Sequence, residues 1–305
     1  MSLSHIQGYP RVKNDPSDIE SAERYNQFSL GWFANPIFGN GDYPDVMKWQ
    51  IGNKSQAMHI GESRLPTFSN SEKQLLKGSA DFLGLNLYTA TLVTKRARPL
   101  LNASYDNDRD VEFGPDPKWP SSGSDWLKVT PFALRGALTW IKDHYNNCPV
   151  LITENGVSDN NGGLDDVHRV AYIRDYIDEV LKAIRIDGCD VKGYSVWSLL
   201  DNFEWMRGYS ERFGLHFVNF SDPERQRIPK LSANYYRSII EHHGFLKDQC
   251  TETQSPTHSS KENIVQYSST QTTMINSGNL SFRLYTSIMY LLISQILCQN
   301  LIFIF

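Results

Sequence analysis

A chain of 305 residues, 40% hydrophobic and 21% charged, can bury one large core or two smaller ones, which excludes a disordered protein. Its net charge of -4, with lysines and arginines scattered rather than grouped in a stripe, leaves no electrostatic footprint for nucleic acid. The cysteines at 148, 189, 250 and 298 have neither CxxC spacing nor a histidine at metal-ligand distance, so they read as separate thiols.

In chain order, the opening "MSLSHIQGYPRVKNDPSD" lacks the charged and apolar regions of a secretory signal. The Asn-Xaa-Ser tripeptides at Asn53, Asn102 and Asn219 are compatible with a secreted parent but arise by chance, so localisation is unassigned. Ser17 followed by Glu20 has the spacing of a capping box and predicts a helix running toward Trp32 and Phe33. A Gly/Pro/Asn loop and a polar segment around Pro66 follow. Then "DFLGLNLYT" (81–89) reads as a buried strand that ends in Asn86, Tyr88 and Thr89. Residues 95–125 form a long loop without periodicity. Thr130-Pro131 predicts the start of a helix carrying Phe132, Leu134, Leu138 and Ile141.

The run 150–153 predicts a second strand, which meets Glu154 and then Asn155-Gly156. Asp165 and Asp166 open a periodic helix whose apolar face includes Val167, Val170, Ile177, Val180 and Ile184, and Gly188 closes it. "VKGYSVWSLLDNFEW" (191–205) predicts a third strand with its exit loop, and Ser232 caps a last helix over 232–240. Strands alternating with helices predict a parallel sheet of right-handed βαβ units, in a doubly wound layer or a (β/α)8 barrel. Residues 248–281, rich in Ser, Thr, Gln and Asn, read as a polar linker. Residues 284–305 carry no charge and meet the length of a membrane span; they read as a tail anchor or as an extension foreign to the folded protein. The expected division is thus 1–247 for the folded domain, 248–281 for the linker and 282–305 for the tail, with a membrane contact only through that tail.

In each strand the polar residues gather at the C-terminal end, where parallel α/β folds place their sites. Glu154, at a buried strand's mouth beside a neighbouring strand's tyrosine, has the setting of an ionised nucleophile. Glu204 lies between Phe203 and Trp205, close in sequence to Trp197. A carboxylate can accept hydrogen bonds from vicinal hydroxyls while an indole covers the apolar face of a sugar ring, so this cluster predicts a carbohydrate cleft.

"LITENG", "DFLGLNLYT", "SVWSLLDNFEW", "YSERFGLHFV" and "LGWFANPIFGNGDYP" together resemble glycoside hydrolase family 1, the β-glucosidase family, near its myrosinase-like and lactase-phlorizin-like members. The resemblance covers about residues 8–245. It implies a β-glucoside or related substrate, no metal and no organic cofactor. It implies that Glu154 is the nucleophile of a retaining mechanism, that Tyr88 is its hydrogen-bond partner and that Asn86 lines the same site. By the same resemblance Glu204 and Trp205 hold the sugar hydroxyls, Trp197 stacks beneath the ring, and Trp126 and Phe213 face the aglycone.

Retaining hydrolysis needs a second carboxyl about 5 Å from the first. The family carries it in an Asn-Glu-Pro motif on the fourth strand, and that tripeptide is absent from this sequence. The expected fold is therefore α/β, the C-terminal portion of a (β/α)8 barrel (about strands 6–8), truncated at the N-terminus and inactive or nearly so by itself. A glycan-binding pseudoenzyme and a thioglucosidase, whose leaving group needs little protonation, are the alternative readings.

Overall fold

The computed structural model describes residues 2–246 and the pair 302–303. The expected linker, most of the apolar tail, Cys250 and Cys298 lie outside the described residues. In chain order the elements are β1 (Ser2–Pro10), α1 (Pro16–Asn26), a π-helical turn (Gln27–Gly31), α2 (Trp32–Phe38), α3 (Asp45–Ala57) and α4 (Asn70–Leu76). β2 (Leu83–Lys95), α5 (Tyr105–Asp108), β3 (Val111–Gly114), α6 (Phe132–His144), β4 (Val150–Asn155) and α7 (Val167–Arg185) follow. The rest is β5 (Val191–Val196), a 3-10 turn (Trp205–Arg207), β6 (His216–Val218), β7 (Arg227–Pro229), α8 (Leu231–His242) and β8 (Ile302–Phe303).

β1, β2, β4 and β5 are adjacent and parallel in that order. β3 pairs antiparallel with the outer half of β2, and β8 pairs antiparallel with Tyr194 and Ser195 of β5. β2 is central because its alternate residues Leu83, Leu85 and Leu87 are apolar, and all three are buried in the main core. α6 turns Ala133, Leu134, Ala137, Leu138 and Ile141 into the same core, and α7 adds Ile173, Tyr176, Ile177 and Val180. Cys148 and Cys189 are free thiols, as expected. No helix among the described residues is long and apolar enough to cross a membrane.

Several expectations are corrected. The sheet has a fourth parallel strand, β1, whose sequence SLSHIQGYP holds too few apolar residues to announce itself. The first helix is capped by Asp15, whose side chain accepts from the Ser17 and Asp18 amides, and a capping box is instead formed by Ser69 with Glu72 at the start of α4. The polar segment around Pro66 is flanked by α3 and α4, and the loop 95–125 contains α5 and β3. Thr130 does not cap α6 with its side chain, because its hydroxyl accepts the Ala90 amide of β2. Val167 is 65% exposed and outside the apolar face of α7. Ser232 lies inside α8, and its hydroxyl donates to Asp166 at 2.6 Å.

Candidate active site

The register places Ser4, Asn86 and Glu154 at one level on neighbouring strands, so their side chains share a face. Tyr88 Oη donates to Glu154 Oε2 at 2.7 Å. Tyr88 is fixed from behind, because the Tyr172 and Tyr176 hydroxyls of α7 both donate to its carbonyl, at 3.0 and 2.8 Å. Trp126 and Phe213 meet its ring edge-on, with centroids 5.8 and 6.2 Å away. Asn86 accepts from Thr153 Oγ1 at 2.5 Å and also hydrogen-bonds Glu154.

Asn155 and Gly156, which precede no helix directly, hold the strand ends together. The fully buried Asn155 donates to the Leu87 carbonyl at 2.7 Å and accepts from the Tyr194 hydroxyl at 2.7 Å, tying β4 to both neighbours. A Cβ on Gly156 would overlap the Trp197 carbonyl oxygen, so only glycine lets the β4 and β5 exits approach this closely. The Glu-Asn-Gly triplet thus has one residue in the mouth, one binding the strands and one admitting the next loop.

From β5 the chain enters the loop that carries Glu204. Trp197 Nε1 donates to Glu204 Oε1 at 3.2 Å, and the Glu204 amide donates to the Gly208 carbonyl at 2.7 Å. Asp201 anchors the loop: it accepts from Lys230 Nζ at 2.9 Å, Arg212 Nη1 at 2.8 Å and the Gly214 amide at 3.0 Å. Its carboxylate is thereby committed to holding the loop in place.

All eight side chains singled out in the sequence line one open cleft of about 840 Å³. Asn86, Tyr88, Glu154, Trp197 and Glu204 form its inner part, and Phe213 packs behind Tyr88. Trp126 and Trp205 stand at the rim, 49% and 83% exposed. Two parts of the lining were missed. Glu211 is buried but committed to Ser124 Oγ and Arg207. On the β1 side the wall includes Ser4, His5, Tyr25, Ser29, Tyr105 and Arg109, drawn from the opening segment, the expected first helix and the loop 95–125, none of which was expected to line the site.

Burial pushes the Glu154 carboxyl above its ordinary value, opposed by the hydrogen bonds from Tyr88 and Asn86. Burial also raises Glu204, opposed by the Trp197 and Asn202 bonds. Tyr88 is raised well out of range by burial and by the Glu154 charge, so it stays a neutral donor. Among the described residues no cluster of His, Cys, Asp and Glu fits a metal ion. The inner cleft offers one carboxylate held by a phenol, beside a second held by an indole.

The family model for glycosyl hydrolase family 1 matches residues 1–245. The chain belongs to that family. It is 50% identical over 246 residues to human lactase/phlorizin hydrolase, covering 80% of this chain and 13% of that one. It is 41% identical over 249 residues to myrosinase 1 of Brevicoryne brassicae, covering 79% and 51%. The solved aphid myrosinase superposes with a TM-score of 0.73 at 40% identity, over 79% of this chain and 52% of that one. The chain therefore spans about half the length of the aphid family member, and its sheet and helices are a partial α/β barrel.

Proposed function

We propose that the cleft cleaves β-glucosides with retention, Glu154 Oε attacking the anomeric carbon as the glycosidic C–O bond breaks, and water then hydrolysing the glycosyl ester. The observation that carries this reading is the Tyr88–Glu154 hydrogen bond at the strand mouth, with the Glu204–Trp197 pair beside it. Tyr88 orients the carboxylate, and Asn86 supports it. Glu204 and Trp205 receive the sugar hydroxyls, Trp197 lies under the ring, and Trp126 and Phe213 border the aglycone.

Of the three carboxylates lining the cleft, Glu154 serves as nucleophile, Glu204 receives sugar and Glu211 is locked by Ser124 and Arg207. Among the described residues the cleft then offers no further carboxyl to protonate a leaving oxygen. It turns over glycosides whose leaving group departs as an anion and fails on alkyl glucosides. The same deficit favours thioglucosides as a second substrate class, because a thiolate leaves with little protonation. The test compares a dinitrophenyl β-glucoside with an alkyl β-glucoside at low protein concentration. Turnover of the first alone, abolished in Glu154→Gln, fits the assignment; no Glu154-dependent turnover of either contradicts it.

A further inference from the structure

The paired stretch of β2 and β4 ends at Asn86 and Glu154. Past that point side chains bind the β2 carbonyls. Asn155 Nδ2 donates to the Leu87 carbonyl at 2.7 Å, and the Tyr172 and Tyr176 hydroxyls donate to the Tyr88 carbonyl at 3.0 and 2.8 Å. The two phenols lie one turn apart on α7 with their rings stacked at 3.9 Å, and burial raises both so that they stay neutral donors. Their other partners differ. Tyr172 Oη accepts from Asn155 Nδ2 at 3.0 Å, so a single oxygen touches both the residue that follows Glu154 and the residue that holds it. Tyr176 Oη accepts from the Thr130 amide at 2.9 Å, outside β4.

The orientation of this link is fixed by chemistry. Both hydrogens of the Asn155 amide are used, on Leu87 and Tyr172, and its oxygen takes the Tyr194 hydroxyl; a flipped amide would set its oxygen against the Leu87 carbonyl. The helix that carries Tyr172 is registered on the same loop. Arg169, fully buried one turn earlier, donates to the Val157 carbonyl at 3.2 Å and to Asp159 at 2.5 Å, both in the β4 exit.

We propose that Tyr172 is a positioning residue for the nucleophile, its hydroxyl tying the Tyr88 backbone to Asn155 and so setting how closely the Tyr88 phenol meets Glu154. The proposal rests on the nucleophile reading above. Glu154 and Asn155 are consecutive, so a slip of Tyr88 past one is a slip past the other. Without the Tyr172 hydroxyl, a buried amide hydrogen loses its acceptor and the Tyr88 carbonyl loses one of its donors. Tyr176 then draws that carbonyl toward α7 with nothing linking it to β4, and the Tyr88–Glu154 bond weakens. Because that bond opposes the upward push of burial on Glu154, weakening it raises the carboxyl further. Tyr88 on β2 and Glu204 on the β5 exit loop are the titratable groups coupled to Glu154 among the described residues. Tyr172 acts on the carboxyl only through Tyr88.

The experiment is a carbon-13 NMR titration of the Glu154 carboxyl, assigned by its loss in Glu154→Gln, in the full chain and in Tyr172→Phe, Tyr176→Phe and Tyr88→Phe. Hydrolysis of a dinitrophenyl β-glucoside is measured in parallel. Tyr172→Phe should raise the Glu154 pKa and lower kcat/KM by about tenfold through kcat, with KM unchanged. It should add nothing to the shift that Tyr88→Phe already produces. Tyr176→Phe cuts a bond to the same carbonyl but leaves the link to Asn155, so it should move the pKa less. An unmoved pKa in Tyr172→Phe overturns the positioning role. So does an equal or larger shift in Tyr176→Phe, or shifts that add in the Tyr88→Phe, Tyr172→Phe double variant. If Tyr172→Phe fails to fold, Asn155→Ala cuts the same link from its other end and carries the same expectations. A parent chain without Glu154-dependent turnover strikes the nucleophile reading instead, while the titration still decides the role of Tyr172.

Discussion

The Tyr88 hydroxyl and the Glu154 carboxylate meet at 2.7 Å from strands 66 residues apart in sequence. The bond lowers the Glu154 pKa against the upward push of burial. Tyr88→Phe removes the opposing contribution and lets the pKa climb further. The nucleophile must be ionised, so the acidic limb of the kcat/KM profile for a dinitrophenyl β-glucoside should move to higher pH. An unmoved limb would separate Tyr88 from the titration of Glu154.

The raised Glu154 also predicts a stability effect of definite sign. Its folded pKa lies above the unfolded value, so the native state binds more protons between the two, and stability falls as pH rises through that window. Glu154→Gln abolishes this loss. Its Tm should exceed that of the parent at pH 7 and converge on it below the ordinary carboxyl pKa. A variant less stable than the parent at pH 7 would show that the ionised carboxylate is net stabilising.

Gly156→Ala forces a methyl into the Trp197 carbonyl oxygen, a backbone atom that cannot rotate away. We expect a loss of about 3 kcal/mol or more in denaturant unfolding, the upper range for overpacking, together with loss of substrate binding as the β5 exit shifts. Near-parental stability would mean that the two strand ends separate freely.

Asp201 and Lys230 form a fully buried ion pair. Lys230→Ala leaves a buried carboxylate with Arg212 as its remaining cation, and breaking such a pair costs roughly 3–5 kcal/mol. Because the pair anchors the loop bearing Glu204, sugar affinity should fall alongside stability. Equilibrium unfolding and ligand titration of the same sample check both.

The sequence made the mouths of β2, β4 and β5 readable, because each is an apolar run that breaks into Asn86 and Tyr88, into Glu154, or into Trp197 and Glu204. The motifs of the family carried the roles. β1 stayed hidden because an edge strand beside a cleft, with Ser4, His5 and Gln7 in it, lacks the alternation that marks a half-buried strand. The work of Asn155 was equally hidden. Its partners, the Leu87 carbonyl and the Tyr194 hydroxyl, lie 68 and 39 residues away. No local pattern reports such contacts. Capping was misplaced for a related reason: Ser17 and Ser232 have the right residue type, but Asp15 accepts the Ser17 and Asp18 amides, and Ser232 gives both its amide and its hydroxyl to Asp166.

The most direct test is covalent trapping with a dinitrophenyl 2-deoxy-2-fluoro-β-glucoside, whose leaving group departs unprotonated and whose fluorine slows hydrolysis of the ester. Glu154 is predicted to carry one fluoroglucosyl group, read as a mass increment on the peptide spanning 150–156 and absent in Glu154→Gln. A label on Glu204, or labelling unchanged in that variant, would contradict the account.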